Sequence, residues 1–131
     1  MLNRFYMSLP NLENKKLLVV EDDDMSFLYL NQLLKLTQCM FLREKSGLDA
    51  IEAFRTEPGF DMILMDIQLP DMDGKQVTRK IRDLDPAIPI IAQTAAKSPA
   101  EKELVLAAGC TEVLIKPFSM EELFAAIERH I

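Results

Sequence analysis

Five short apolar runs alternate with stretches of helical periodicity through most of this chain, and this alternation constrains the fold more than any other feature. The runs lie at residues 17–20, 40–42, 62–65, 88–92 and 113–115. Their apolar residues are consecutive, which predicts strands buried on both faces. Strands separated by helices need crossover connections. The pattern therefore predicts an α/β fold of three layers, in which helices cover both faces of a doubly wound, five-stranded parallel sheet.

Helix start signals lie between the apolar runs. Apolar residues recur at helical spacing over about residues 24–38, and the acidic run before them predicts an aspartate cap. Asp73 with Gln76, and Ser119 with Glu122, have the spacing of capping boxes. Ser98 and Pro99 predict the start of a helix over about 99–108.

We expect a single domain over residues 16–131, because a chain of 131 residues can bury one sufficient core without disulfides. Residues 1–15 lack the pattern of a secretory signal and are predicted to be a leader, linker or tag remnant. No apolar run approaches the length of a membrane span, so we expect no membrane contact.

The charge balance argues against direct nucleic-acid binding. The net charge is −6 and the sequence pI is about 4.8, whereas phosphate backbones require clustered lysine and arginine. The basic residues between 75 and 82 are predicted to form a solvated helix face. Cys39 and Cys110 form no CxxC motif and are predicted to be buried free thiols, which favours a reducing, cytoplasmic location.

Polar residues stand where the predicted strands end. Glu21 and Asp22 follow the first strand, Asp66 the third, Thr94 the fourth and Lys116 the fifth. Alone, Asp66 is more typical of an acid that begins a turn. However, the carboxyl ends of parallel strands meet at one edge, so these residues should converge. An acidic all-oxygen cluster favours Mg²⁺, and with a lysine and a hydroxyl nearby Asp66 could act as a nucleophile toward a phosphoryl group.

These residues resemble the motifs of the response-regulator receiver domain, over residues 16–131. The matching segments are Val19-Val20-Glu21-Asp22, Met65-Asp66 with Pro70 and Asp73-Gly74, Thr94-Ala95, and Lys116-Pro117-Phe118. The resemblance implies a flavodoxin-like (βα)5 fold with strand order 2-1-3-4-5. It also implies that the chain is either a single-domain regulator or the receiver of a longer protein such as a hybrid histidine kinase.

The resemblance further assigns roles to individual residues. Asp66 would be the phosphoacceptor. The ligands of Mg²⁺ would be Asp22, Asp66, the backbone carbonyl of Gln68 and, through water, Glu21. Thr94, the Ala95 amide and Lys116 would bind the phosphoryl group, with Lys116 held by a cis bond to Pro117.

Two positions depart from the family pattern. Glu21 stands where the family most often has aspartate, and Asp23 offers an alternative acid, although Asp23 and Asp24 are better explained as helix caps and first-turn acids. Val113 stands where many receivers have an aromatic residue that moves with the threonine. We therefore expect phosphorylation to be preserved and the usual coupling of threonine to that residue to be altered.

The leading functional hypothesis is a phosphoacceptor that receives its phosphoryl group from a histidine kinase or a histidine phosphotransfer protein, and that switches the surface at about 97–130. The alternative is a pseudo-receiver that acts only through protein interaction. A turnover phosphatase is a third class, but such enzymes usually have an acid two residues after the nucleophile, where this chain has Gln68. We therefore expect no turnover activity.

Overall fold

The computed structural model describes residues 9–95 and 98–131, in which five strands alternate with five helices. The strands are β1 (Lys16–Val20), β2 (Met40–Glu44), β3 (Met62–Asp66), β4 (Ile90–Thr94) and β5 (Glu112–Ile115). The helices are α1 (Asp24–Lys35), α2 (Gly47–Thr56), α3 (Gly74–Leu84), α4 (Pro99–Ala107) and α5 (Met120–His130).

All strand pairings are parallel, and the strand order is β2-β1-β3-β4-β5. Both the predicted three-layer fold and the predicted order are confirmed. The ladder pairs Val20 with Met65 and Asp66 with Gln93. The last residues of the three central strands therefore lie side by side at one edge of the sheet.

Successive residues of each central strand pack into two different cores. Leu17 and Val19 of β1 contribute to the core that contains α1 and α5, and Leu18 and Val20 to the core that contains α2, α3 and part of α4. All four are fully buried. Burial of one such side chain is worth about 1.5–3 kcal/mol, which explains why the strands are continuously apolar and why the sheet is covered on both faces.

The predicted helix starts are confirmed at atomic detail. Asp23 caps α1 and accepts from the Ser26 N–H, and both capping boxes are present. Several boundaries differ from the prediction, among them the end of α1 and both ends of β4. Helix α1 ends at Lys35, because the chain turns after it and Gln38 takes a left-handed conformation with φ of 67°. Strand β4 runs to Thr94, which pairs with Ile115 of β5.

The domain packs against residues that precede the predicted boundary at 16. Leu12 is buried in the core beside α1 and α5, and its N–H donates to the Thr37 carbonyl at 2.8 Å. The first eight residues of the predicted leader lie outside the described part of the chain.

Both cysteines are free thiols, Cys110 buried and Cys39 half-buried. Burial raises the pKa of each thiol. No helix among the described residues combines the length and the apolar character that a membrane crossing requires.

Candidate functional site

Three carboxylates meet where β1 and β3 end. Glu21 and Asp66 are buried, with 0% and 4% of their surfaces exposed, while Asp22 is half-buried. One ligand oxygen from each of the three lies within 4.8 Å of the other two. Hard divalent cations prefer such an all-oxygen donor set, so the residues fit the Mg²⁺ predicted from the sequence.

Lys116 is the cation beside this cluster. Its Nζ lies 3.3 Å from Glu21 Oε1 and 3.6 Å from Asp66 Oδ1. The peptide bond from Lys116 to Pro117 is cis, as the resemblance implies. The Lys116 N–H donates to the Thr94 carbonyl at 2.8 Å, which ties the lysine to the end of β4. A single ammonium group thus faces two buried carboxylates.

The local charge balance makes Glu21 reluctant to ionise. Burial, the hydrogen bond with Asp66 and the charge of Asp66 raise the pKa of Glu21 to about 7, although Lys116 and the Asp23 N–H act in the opposite direction. Both opposing groups are therefore outweighed by desolvation and by the neighbouring carboxyl. A divalent cation would supply the positive charge that this cluster lacks.

The loop after β3 fixes the orientation of Asp66. The Gln68 N–H donates to Asp66 Oδ1 at 3.0 Å, and the Gly74 N–H donates to the Ile67 carbonyl at 2.7 Å. A Cβ on Gly74 would stand 2.6 Å from both the Asp66 carbonyl oxygen and Ile67 Cα. Only glycine allows the start of α3 to approach the backbone of Asp66 so closely.

A cleft of about 530 Å³ opens beside this loop. Its walls include Gln68, Thr94, Ala95 and Glu101. Thr94 is 2% exposed, whereas Ala95 and Gln68 are exposed. All the residues predicted for the site therefore lie at the same edge of the sheet, with Lys116 and the acids clustered around Asp66 and with Thr94 and Ala95 on the wall of the cleft.

The remaining acids near β1 have structural contacts. Asp23 caps α1, and Asp24 lies 2.9 Å from an Arg43 nitrogen and 3.3 Å from Lys45 Nζ. Their prediction as helix caps and first-turn acids is confirmed. Val113, which replaces the expected aromatic residue, is buried at 8% exposure and pairs with Ala92 of β4.

Two residues that shape the site are not predicted from the sequence. The Arg43 Nε donates to the Glu21 carbonyl at 2.9 Å, which fixes the backbone that carries the first acids. Asp71 accepts from the N–H groups of Gly47 and Leu48 at 2.8 and 2.9 Å, which joins the loop after β3 to α2. An acid in a Pro-Asp-Gly-rich loop is a common cap, but its partner helix was not evident from the sequence.

The solvated basic face predicted on α3 is only half correct. Arg79 and Lys80 are exposed. In contrast, Lys75 is 3.1 Å from Glu101 of α4, and Arg82 donates to the carbonyls of Ile88 and Gly109 at 2.7 and 2.9 Å. Both side chains join α3 to neighbouring segments, and this could not be foreseen without the arrangement of the helices.

The site can be compared with known proteins. The family model for the response regulator receiver domain matches residues 17–128. The polar-differentiation response regulator DivK of Brucella anthropi is 32% identical over 119 residues, which cover 89% of this chain and 96% of that protein.

Two solved structures show the same similarity. The receiver domain of the sensor histidine kinase PA1611 from Pseudomonas aeruginosa has a TM-score of 0.82 and 31% identity, and the match covers 88% of this chain and 96% of that one. In that structure a magnesium ion is coordinated in the active site cleft. The chemotaxis protein CheY4 from Vibrio cholerae has a TM-score of 0.80 and 27% identity over 89% of this chain and 98% of that chain.

Proposed function

This chain belongs to the response-regulator receiver family, and from that premise we propose that it is a phosphoacceptor in two-component signalling, with Asp66 as the residue that takes the phosphoryl group. One observation carries the proposal. Asp66 is a buried carboxylate. The Lys116 Nζ lies 3.6 Å from it, and one carboxylate oxygen each of Glu21 and Asp22 lies within 4.8 Å. A carboxylate that only began a turn would not need these neighbours.

The reaction proposed is the transfer of a phosphoryl group from a partner's phosphohistidine. An Asp66 oxygen attacks phosphorus, the new O–P bond forms as the P–N bond breaks, and the electron pair of that bond returns to the imidazole nitrogen, which then takes a proton from solvent. Lys116 pairs with the phosphoryl oxygens, because its Nζ already lies beside Asp66 Oδ1. The Thr94 hydroxyl and the Ala95 N–H donate to the remaining oxygens, because both residues line the cleft.

Asp22, Asp66, the Gln68 carbonyl and, through water, Glu21 would hold Mg²⁺. The ion would supply positive charge against the phosphoryl oxygens as negative charge accumulates there. The three carboxylates fit this task by donor type and by mutual distance. The structure of the PA1611 receiver domain, with its magnesium ion in the active site cleft, supports the same assignment.

The partners we propose are a histidine kinase or a histidine phosphotransfer protein. Phosphorylation adds a charge of about −1.5 to −2 at the edge of the sheet, and the surface proposed to respond consists of α4, β5 and α5. We do not propose turnover chemistry. Gln68, two residues after Asp66, cannot serve as a general acid for repeated hydrolysis of phosphomonoesters.

The test is incubation with Mg²⁺ and acetyl phosphate, followed by intact-mass measurement. We expect one added phosphoryl group on the wild-type chain and none on Asp66→Asn. The matched control is Asp49→Asn, which changes an exposed acid on α2 and should label as the wild type does. An unlabelled wild-type chain, or equal labelling of Asp66→Asn, would contradict the proposal and favour a receiver that acts through protein interaction alone.

A further inference from the structure

A second cavity is lined in part by Lys116, which also contacts the acidic cluster. Its volume is about 600 Å³, within the range of about 300–1,000 Å³ that is usual for small-molecule sites. Seven residues line it, namely Met25, Ser26, Tyr29, Gln93, Lys116, Pro117 and Phe118. Four of these side chains, those of Met25, Tyr29, Pro117 and Phe118, are apolar or aromatic. The cavity therefore has mainly apolar walls and a few polar groups.

The aromatic wall is fixed in place. The Tyr29 hydroxyl donates to the Phe118 carbonyl at 2.9 Å, and the two rings stand 5.9 Å apart at 54°. This hydrogen bond joins α1 to the segment before α5. Because the hydroxyl of Tyr29 is already engaged, its ring offers the cavity mainly an apolar surface.

Gln93 is the unexplained residue of this cavity. It is 1% exposed and sits in β4 between Asp66 of β3 and Leu114 of β5. Among residues 9–95 and 98–131, its Nε2 atom is buried and has no hydrogen-bond partner. The other residues of β4 before Thr94 are aliphatic. An aliphatic side chain here would avoid the penalty of an unpaired buried amide, so the amide calls for an acceptor.

The charges around the cavity limit the class of molecule that can provide this acceptor. The ammonium group of Lys116 disfavours a cation on that wall. Glu21 and Asp66, which both lie beside Lys116, disfavour an additional anion, because the Lys116 charge is already shared between them. A neutral molecule meets neither penalty. An apolar body would cover the aromatic wall, and the Gln93 side chain would turn its buried amide toward the cavity and donate to one carbonyl-type oxygen.

We propose that this cavity binds a small neutral molecule with an aromatic or aliphatic body and a single carbonyl-type acceptor, which is held by the Gln93 amide. Lys116 forms a wall of this cavity and also contacts Asp66. Ligand binding therefore acts on the same lysine side chain that the phosphoryl group would need. That consequence rests on the proposed function, whereas binding itself does not.

The test uses two probes of nearly equal shape, acetophenone and ethylbenzene, of which only acetophenone has a carbonyl acceptor. Binding to the wild-type chain is measured by titration in two-dimensional ¹H–¹⁵N NMR, with the side-chain NH₂ of Gln93 as the local reporter. We expect acetophenone to bind about tenfold more tightly than ethylbenzene and to shift the Gln93 NH₂ resonances.

The matched variant is Gln93→Leu, which keeps the bulk and removes the donor. It should weaken acetophenone to the affinity of ethylbenzene while leaving ethylbenzene binding unchanged. Equal affinities in the wild type, or shifts confined to residues outside the cavity, would overturn the proposal, as would unchanged acetophenone binding to Gln93→Leu. If that variant does not fold, the comparison of the two probes on the wild-type chain still decides the matter. If the wild-type chain is not phosphorylated in the acetyl phosphate assay, the proposed function is contradicted, and the binding of a ligand in this cavity is unaffected.

Discussion

Replacing Glu21 by glutamine should remove a pH-dependent loss of stability from this protein. Glu21 is fully buried, and burial with the neighbouring Asp66 carboxyl raises its pKa from 4.5 to about 7. Between these two values the folded protein holds a proton that the unfolded chain has released. The stabilisation from this proton is complete below the unfolded pKa and is lost as the pH rises through the folded pKa.

The size of the effect follows from the difference between the two pKa values. Each tenfold change in proton affinity is worth about 1.4 kcal/mol, so a rise from 4.5 to about 7 corresponds to about 3 kcal/mol. Glutamine is neutral at every pH, so the Glu21→Gln variant does not lose this stabilisation as the pH rises. Lys116 already opposes the rise in the pKa of Glu21, so its contact with Glu21 is included in this difference and is not counted again.

The assay is urea unfolding followed by far-ultraviolet circular dichroism, with EDTA present to remove divalent ions. The free energy of unfolding of Glu21→Gln, relative to the wild type, should rise by about 3 kcal/mol between about pH 4.5 and about pH 8. Glu128→Gln, on the exposed face of α5, is the control. If the difference in free energy of unfolding between Glu21→Gln and the wild type stays constant with pH, the reasoning about Glu21 is refuted.

Three other perturbations test the metal site and the contacts that support it. Mg²⁺ at pH 8 should raise the melting temperature of the wild-type chain, because the ion would bind only the folded site. The Asp22→Asn variant should lose most of that rise. An equal rise in the variant and the wild type would count against the metal site. Gly74→Ala should lower the free energy of unfolding by about 1–3 kcal/mol in urea, because the new Cβ meets backbone atoms at 2.6 Å; an unchanged midpoint would show that α3 can shift freely. Arg82→Leu should cost about 2–3 kcal/mol by leaving the Ile88 and Gly109 carbonyls without their charged donor, whereas Arg79→Leu on the exposed face of the same helix should cost little.

Much of the candidate site could be predicted because its residues stand at the end of a strand or shortly after it. Asp66 ends β3, and Glu21 and Lys116 follow β1 and β5. In a parallel sheet the position along the strand fixes the edge at which a residue emerges. Strand register therefore brings these residues together, whatever their separation in sequence.

The supporting contacts could not be predicted in the same way. Lys75 and Arg82 have the same local pattern as the solvated Arg79 and Lys80, and they differ only in what α4 and the loops beside β4 and β5 present to them. Likewise, nothing in the local sequence shows that Leu12 packs in the core. Such contacts depend on which surfaces meet after the helices have docked.

The sequence by itself determined the alternation of strands and helices, the helix caps and the set of polar residues at the strand ends. These depend on local periodicity, on hydrogen bonds within a few residues and on strand direction. Only the tertiary structure decided that Glu21 is buried enough to hold a proton near neutral pH, and that the Gln93 Nε2 is buried with no hydrogen-bond partner in the described part of the chain. Both properties arise from desolvation, and desolvation is set by distant segments that close over a residue.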